Sequence, residues 1–312
     1  MCKFMRSRGV VGLALLSNLR PRLVLTMRAS CCPAALNPCE AVRRSCQRVV
    51  AGSRHVSIDS EAVSRLARDV VQRSDQVLRV CDWNTEWHFH READPVLTTQ
   101  YLFVLDALNF CFWPSPGFEY EDLARGLKRV VESNPQSLDA DRLECLDTET
   151  LVEWFPAGVL PNIEERTERL RELGAALTNS FDGKAYNLVK SCDRSAVQFV
   201  RRVLQELPGF RDTAVLDGRL VHFYKRAQIL CGDIWAAFGR GNDPESCFSF
   251  LDIGELTMFA DYRVPQLLHH LNVLKYEKDL EQQILSLSEI ESGSRMEVKF
   301  IIHAVIPCNE LH

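Results

Sequence analysis

Leu97 to Phe110 is apolar on nearly every side, and it constrains the fold more than any other stretch of the chain. A helix without a polar face has to be covered by other elements, so this segment is expected inside a helical core. The surrounding sequence supplies the cover. Asp59-Ser60-Glu61 leads into Val63, Leu66, Ala67, Val70 and Val71, a capping residue ahead of apolar positions at helical spacing. Leu123, Leu127, Val130 and Val131 mark another helix, and more are expected around 151–155, 163–177, 197–207, 224–238, 265–274 and 280–287. Strand signals are few. Val215-Leu216-Asp217-Gly218-Arg219-Leu220-Val221 has a hairpin-type Asp-Gly centre, and the β-branched residues from Met296 to Ile306 predict an edge ribbon. The sum is a mainly α fold with a minor β element.

With 312 residues the chain can bury one large core or two small ones. A formal charge of −5 argues against a general nucleic-acid surface, though a local basic pocket could still hold a small nucleotide. Twelve cysteines occur without a CxxC pair, and residues such as Cys111 and Cys231 sit in apolar-periodic segments. That pattern suits reduced cysteines acting as small hydrophobes, with neither structural zinc nor a disulfide framework. The leader, residues 1–37, contains Lys3, Arg6, Arg8, Arg20, Arg22 and Arg28 and no acidic residue. It resembles an organellar transit peptide, and it equally fits an upstream extension with Met27 as the effective start. A cytoplasmic location therefore stands beside a mitochondrial or plastid one. The apolar run Val10–Leu16 is too short to cross a bilayer, and no other segment reads as a membrane span.

Three segments concentrate chemistry. In Phe259-Ala260-Asp261-Tyr262-Arg263-Val264-Pro265-Gln266, a ring, a carboxylate, a phenol and a guanidinium lie within five positions ahead of a proline. A bend at a helix mouth follows from that proline. It suits a polar ring held between an aromatic face and a carboxylate, or simply a structural bend with an Asp261–Arg263 ion pair. In Phe223-Tyr224-Lys225-Arg226-Ala227-Gln228, the stripe Ala227, Leu230, Ile234 and Phe238 puts Lys225 and Arg226 in a first helical turn. Positive charge is unfavourable there unless an anion compensates it. The anion is either a bound phosphate or nearby carboxylates of the protein. In Trp83-Asn84-Thr85-Glu86-Trp87-His88-Phe89-His90, the histidines lack a third metal partner at recognisable spacing. They fit base recognition among stacking aromatics, or a core with one satisfied histidine. His222, His269 and His270 read as structural. No Walker-type loop, GxGxxG, GxSxG or HExxH occurs.

Taken in order, Ala41-Val42-Arg43-Arg44-Ser45-Cys46, His55-Val56-Ser57-Ile58-Asp59, Leu108-Asn109-Phe110-Cys111-Phe112-Trp113 and Glu164-Glu165-Arg166 lead into the two segments at Phe223 and Phe259. This succession resembles the queuosine salvage protein family over residues 38–300. The resemblance implies a helical fold akin to DNA glycosylases and hydrolysis of queuosine 5′-phosphate to queuine and ribose 5-phosphate. It implies a small-molecule substrate, no direct nucleic-acid or membrane partner, and no metal or redox cofactor. Carried over by position, Phe259 stacks on the base and Asp261 accepts from its exocyclic amine or ring N–H. The family's histidine maps to His88, with the spacing off by one, so His90 stays open. Assignment of the 5′-phosphate to Lys225 and Arg226 comes from the helix-start argument instead.

Residues 301–312 depart from the pattern. Family members continue past a strand at Glu297-Val298 into a Gly- and Trp-rich segment and a helix carrying an Asp-Tyr…Leu-Trp-Asp motif, which supplies carboxylates. The expectation here is a truncated gene model or splice product, with Asp261 the best catalytic carboxylate left. The alternative is a nucleotide- or base-binding homologue with impaired hydrolysis.

Overall fold

Helix start signals translate directly into elements in the computed structural model. It describes residues 37–51, 55–73, 83–112, 117–156, 158, 160–259, 261, 263–286, 290–291 and 293–309. Residues 1–36, Trp113, Ala260, Tyr262 and residues 310–312 lie outside the described residues. The chain begins with α1 (Pro38–Val50), β1 (Val56–Ile58) and α2 (Ser60–Gln72). Next come α3 (Pro95–Leu108), α4 (Tyr120–Ser133), α5 (Ala140–Glu144), α6 (Thr148–Glu153), α7 (Ile163–Ser180), α8 (Ala185–Lys190) and α9 (Ala196–Glu206). A hairpin of β2 (Thr213–Leu216) and β3 (Arg219–His222) precedes α10 (Lys225–Ala237). The described chain finishes with α11 (Arg263–His270), β4 (Leu274–Tyr276), α12 (Lys278–Leu285) and α13 (Arg295–Asn309). The fold is mainly α, with two small antiparallel sheets among the described residues.

Two compact units divide the chain, and the larger comprises residues 78–212 and 224–259. The apolar segment is α3. Asp94 caps it by accepting from Leu97 N at 3.0 Å, and Pro95 opens its first turn. Tyr101, Leu102, Phe103, Val104, Leu105, Ala107 and Leu108 are fully buried, as a helix without a polar face requires. The helices α4, α7, α8 and α10 pack around it. Beside this core, α7 crosses α5 at Gly174. A Cβ at that position would meet the main chain of α5, including Ala140 O at 2.5 Å, so glycine sets the approach.

The smaller unit comprises residues 1–77, 213–223 and 260–312. Its hairpin turns at Asp217 and Gly218, with φ of 52° and 73°, the two positive angles that a tight hairpin turn demands. The strand β1 pairs antiparallel with β4, Val56 opposite Tyr276, an element the sequence did not announce because three residues carry no period. Asp59 caps α2, accepting from Ala62 N at 2.9 Å, and pairs with Lys275 Nζ at 2.6 Å. Hydrogen bonds from Lys275 and then Ala62 hold its carboxyl down at about 2.

One expectation fails in this unit. Residues 296–306 are not an edge ribbon, and Glu297-Val298 is not a strand; both lie in α13. Val298, Phe300, Ile302, Ala304 and Val305 are buried, and α1, α11 and β1 cover the helix. Eleven positions exceed the usual strand length, and burial of the run, with Glu297, Lys299 and His303 included, outweighs the weak β preference of its branched residues. The described part of the tail thus continues a helix whose residues 298–306 pack into the core of this unit.

Candidate functional site

The helix α10 presents two faces. Ala227, Leu230 and Ile234 of the predicted stripe are fully buried together with Cys231, while Phe238, the fourth predicted position, caps the helix and is only partly buried. Around the cylinder, Lys225, Ile229, Gly232, Asp233 and Ala236 recur at helical intervals and are all only partly covered. This second strip joins a cation at the helix start to a carboxyl two turns on.

The anion demanded at the start of α10 is internal. Lys225 N donates to Asp212 Oδ2 at 2.9 Å, and Tyr224 N to Asp212 O at 3.3 Å. Burial pushes the Asp212 carboxyl up, while the Lys225 N–H and the Arg226 charge draw it down. The two neighbouring cations then part company. Arg226 is 9% exposed and turns inward. It donates through Nη1 to Ala107 O at 3.1 Å and through Nη2 to Gly209 O. Its guanidinium lies over the rings of Phe110 and Phe210, at 4.7 and 5.1 Å from their centroids. It is a strut between α10, α3 and the turn at Gly209. Lys225 stays on the partly open strip.

Phe259 is brought to the same strip. Gln228 Oε1, fully buried, accepts from Thr257 N at 2.7 Å and Thr257 Oγ1 at 3.0 Å, which pins the segment leading to Phe259. The Phe259 ring then rests where Gly232 has no side chain. A Cβ at Gly232 would lie 2.9 Å from Cζ of the ring. Asp261 belongs to the smaller unit, where its Oδ1 accepts from Arg263 N at 2.8 Å and Val264 N at 3.1 Å at the start of α11.

His88 is 6% exposed and packs 4.5 Å from the Trp83 ring and 5.7 Å from that of Tyr120. Asn84 O accepts from His88 N at 3.0 Å and so fixes the turn that delivers it. Burial, then the charge of Lys128, lowers its imidazole to about 4, so it is neutral at physiological pH. Its Nδ1 lies 3.4 Å from Tyr101 Oη, which also bonds Ala124 O at 3.3 Å. If the tyrosine proton goes to Ala124, the histidine carries its own proton on Nδ1. His90 is half-buried, with Nδ1 buried and without a hydrogen-bond partner, and its ring is 5.8 Å from that of Phe238.

A buried carboxyl escaped the sequence reading. Asp106, on α3, is fully buried. Its Oδ1 accepts from Asn109 Nδ2 at 3.1 Å, and its Oδ2 is buried without a partner. Asp233 faces it electrostatically from α10: burial and then the Asp106 charge push its carboxyl well up, against the pull of Lys225. Burial likewise raises Asp106, opposed by the Asn109 hydrogen bond and by Lys225 and Arg226. Tyr101 and Tyr120 feel both carboxyls. The signal was present in the sequence, a lone carboxylate inside a helix apolar on nearly every side. Among the described residues no group of three or more His, Cys, Asp or Glu gathers as metal ligands do, and no helix is long and apolar enough to cross a membrane.

A sequence profile described as queuosine salvage protein matches residues 88–311. The queuosine 5′-phosphate N-glycosylase/hydrolase of Dictyostelium discoideum is 40% identical over 273 residues, 85% of this chain and 83% of that protein. The protein of the same name from Sphaerobacter thermophilus is 38% identical over 266 residues, 81% and 79% of the two chains. That of Mus musculus is 30% identical over 281 residues, 85% and 81%.

Proposed function

The chain belongs to the queuosine salvage protein family, and from that premise we propose that it hydrolyses the N-glycosidic bond of queuosine 5′-phosphate, releasing queuine and ribose 5-phosphate. The observation that carries the reading at the level of residues is the partly open strip of α10, where Lys225, Gly232 with the Phe259 ring, and Asp233 lie on one face. A flat base and a phosphate need a ring platform and a cation, which Phe259 and Lys225 supply along that strip.

Phe259 offers its face to the deazaguanine base. Asp261 accepts from the exocyclic amine or ring N–H and is the carboxylate assigned to the sugar; the helix start that it caps holds its backbone in place. Cleavage develops positive charge at the sugar, which a preorganised carboxylate stabilises while water is positioned to attack. His88, neutral at working pH, serves as a hydrogen-bonding group and not as a cation. Lys225 receives the 5′-phosphate. Arg226 supports it from behind, since its donors are engaged by main-chain carbonyls. The buried, free cysteines Cys39, Cys46, Cys192 and Cys231 suit a reducing compartment, the cytoplasm in this reading.

The test is to incubate the purified chain with queuosine 5′-phosphate and follow queuine release by mass spectrometry together with equilibrium binding. Release in step with ribose 5-phosphate is expected. Binding without release would make the chain a base-binding homologue, and neither would end the reading. Lys225→Ala should raise KM for the 5′-phosphate towards that of the free nucleoside. An unchanged preference between the two substrates would remove Lys225 from the phosphate.

A further inference from the structure

We propose that Tyr276 is a positioning residue for the glycosidic step: its hydroxyl fixes the first turn of α11, and through that turn the carboxylate of Asp261. The proposal rests on the hydrolase reading above, which puts Asp261 at the sugar. Every contact it uses lies within the smaller unit.

The carboxylate is held by the front of a short helix. Asp261 Oδ1 accepts from the N–H groups of Arg263 and Val264, two of the donors that a helix start leaves open. With eight residues, α11 is too short to be stable alone, so its direction is set by what it packs against. Pro265 and Leu268 are its buried residues.

The two ends of α11 are tied differently. At the back, Val273 N donates to Leu268 O at 2.8 Å and Asn272 N to His269 O at 2.9 Å. His269 Nδ1 lies 3.0 Å from Leu274 O, which can only accept, so the imidazole donates there. At the front, Tyr276 Oη donates to Pro265 O at 3.0 Å. Pro265 directly follows the two residues whose N–H groups meet Asp261. The tyrosine bond therefore lands on the turn that carries the carboxylate.

The tyrosine is itself clamped. Its ring lies 4.2 Å from the His269 ring at an interplanar angle of 16°, and 5.5 Å from the ring of Phe300 on α13. Phe300 is fully buried. The main chain of Tyr276 is held in β4, opposite Val56 of β1. Burial raises the phenol above its ordinary range, so the hydroxyl keeps the proton it donates. The tail helix thus supports the carboxylate in three steps: Phe300 against Tyr276, Tyr276 onto Pro265, and the first turn onto Asp261.

A lever argument sets the size of the effect. Eight residues rise about 12 Å, so a tilt of about 5° at the back end moves the front by about 1 Å. A misplacement of about 1 Å reaches about 100-fold in rate at a positioned group. The carboxylate matters most where positive charge develops at the sugar, so the loss falls on kcat more than on KM.

Tyr276→Phe, made in the full chain, keeps the ring and removes the donor. It is expected to melt close to wild type, lose about tenfold or more in kcat for queuine release, and change KM by less. Amide hydrogen exchange at Arg263 and Val264, read by NMR, should quicken several-fold, while amides of α1 keep their rates. In an Asp261→Asn background, followed in single turnover, the same change should cost nothing further; a merely structural loss would repeat its full factor. A folded Tyr276→Phe with wild-type kcat, or unchanged exchange at the two amides, overturns the proposal. A loss carried by KM instead of kcat, or repeated in full without Asp261, overturns it as well. Wild type without queuine release overturns the hydrolase reading instead, and exchange at Arg263 and Val264 still decides whether Tyr276 holds their turn.

Discussion

Replacing Gly232 by alanine separates the stability of α10 from its use as a ring platform. Glycine inside a helix costs about 0.5–1 kcal/mol relative to alanine, so the backbone gains from the change. The new methyl would lie 2.9 Å from Cζ and 3.4 Å from Cε2 of Phe259, with every near atom on that ring. Carbon atoms in contact prefer about 3.5–4.0 Å, so the ring tip must retreat by roughly 0.6–1 Å. It is the far end of a half-buried side chain and moves more readily than the helix. The melting temperature should hold or rise slightly. Catalysis should suffer, because a misplacement of about 1 Å at a positioning group reaches about 100-fold in rate. We expect kcat/KM for queuine release to fall about tenfold or more, with weaker binding of free queuine. Combining the change with Phe259→Ala should add nothing further, as both remove the same platform. A Gly232→Ala protein that keeps kcat/KM within about twofold would refute Phe259 as the base platform. A large drop in melting temperature would refute the mobility assumed for its ring.

Other perturbations probe the frame. Gly174→Ala sets a methyl against the main chain of α5, which cannot swing aside as a side chain can, so about 3 kcal/mol or more of stability should be lost in urea unfolding. Near-neutral stability would mean that α5 and α7 are not in the close contact described. Arg226→Met strips the donors from Ala107 O and Gly209 O and should cost about 3 kcal/mol or more; a variant as stable as wild type would remove its role as a strut. Asp59→Asn keeps a capping side chain on α2 and removes the charge facing Lys275. Because the native carboxyl is held at about 2, below its ordinary value of 3.8, its contribution is present above about pH 4 and lost as pH falls through 2. The gap in melting temperature between wild type and variant should therefore close in acid. A gap that persists at pH 2 would contradict the pairing.

Periodicity made most of the helices legible. The capping signal at Asp59 corresponds to α2, although of its apolar positions only Val63 is buried while Val70 and Val71 are exposed, and the stripe through Ala227, Leu230 and Ile234 is buried on α10. The Asp-Gly hairpin is likewise where its turn residues place it. Legibility ends where two secondary structures share one pattern. The β-branched residues between Met296 and Ile306 fit a strand as well as a helix, and the helical state of the run depends on what covers it. At the candidate site, Phe259 and Lys225 were visible as residue types, while Asp106 stood out only as the one charged position between Pro95 and Leu108.

By itself the chain determined its local geometry, because capping, turn angles and helical spacing act within a few residues and need no partner. It also determined the chemistry in supply: aromatic rings, carboxylates and a cation. Tertiary structure decided which of them meet. Lys225 and Arg226 are neighbours with the same charge, yet one stays on a partly open strip and the other is drawn under two rings and onto two carbonyls. Successive helical positions diverge by about 100°, so the direction of each side chain counts for nothing until packing chooses an inside. Asp106 sits on a helix whose neighbours close over it, and only that packing makes its carboxyl fully buried.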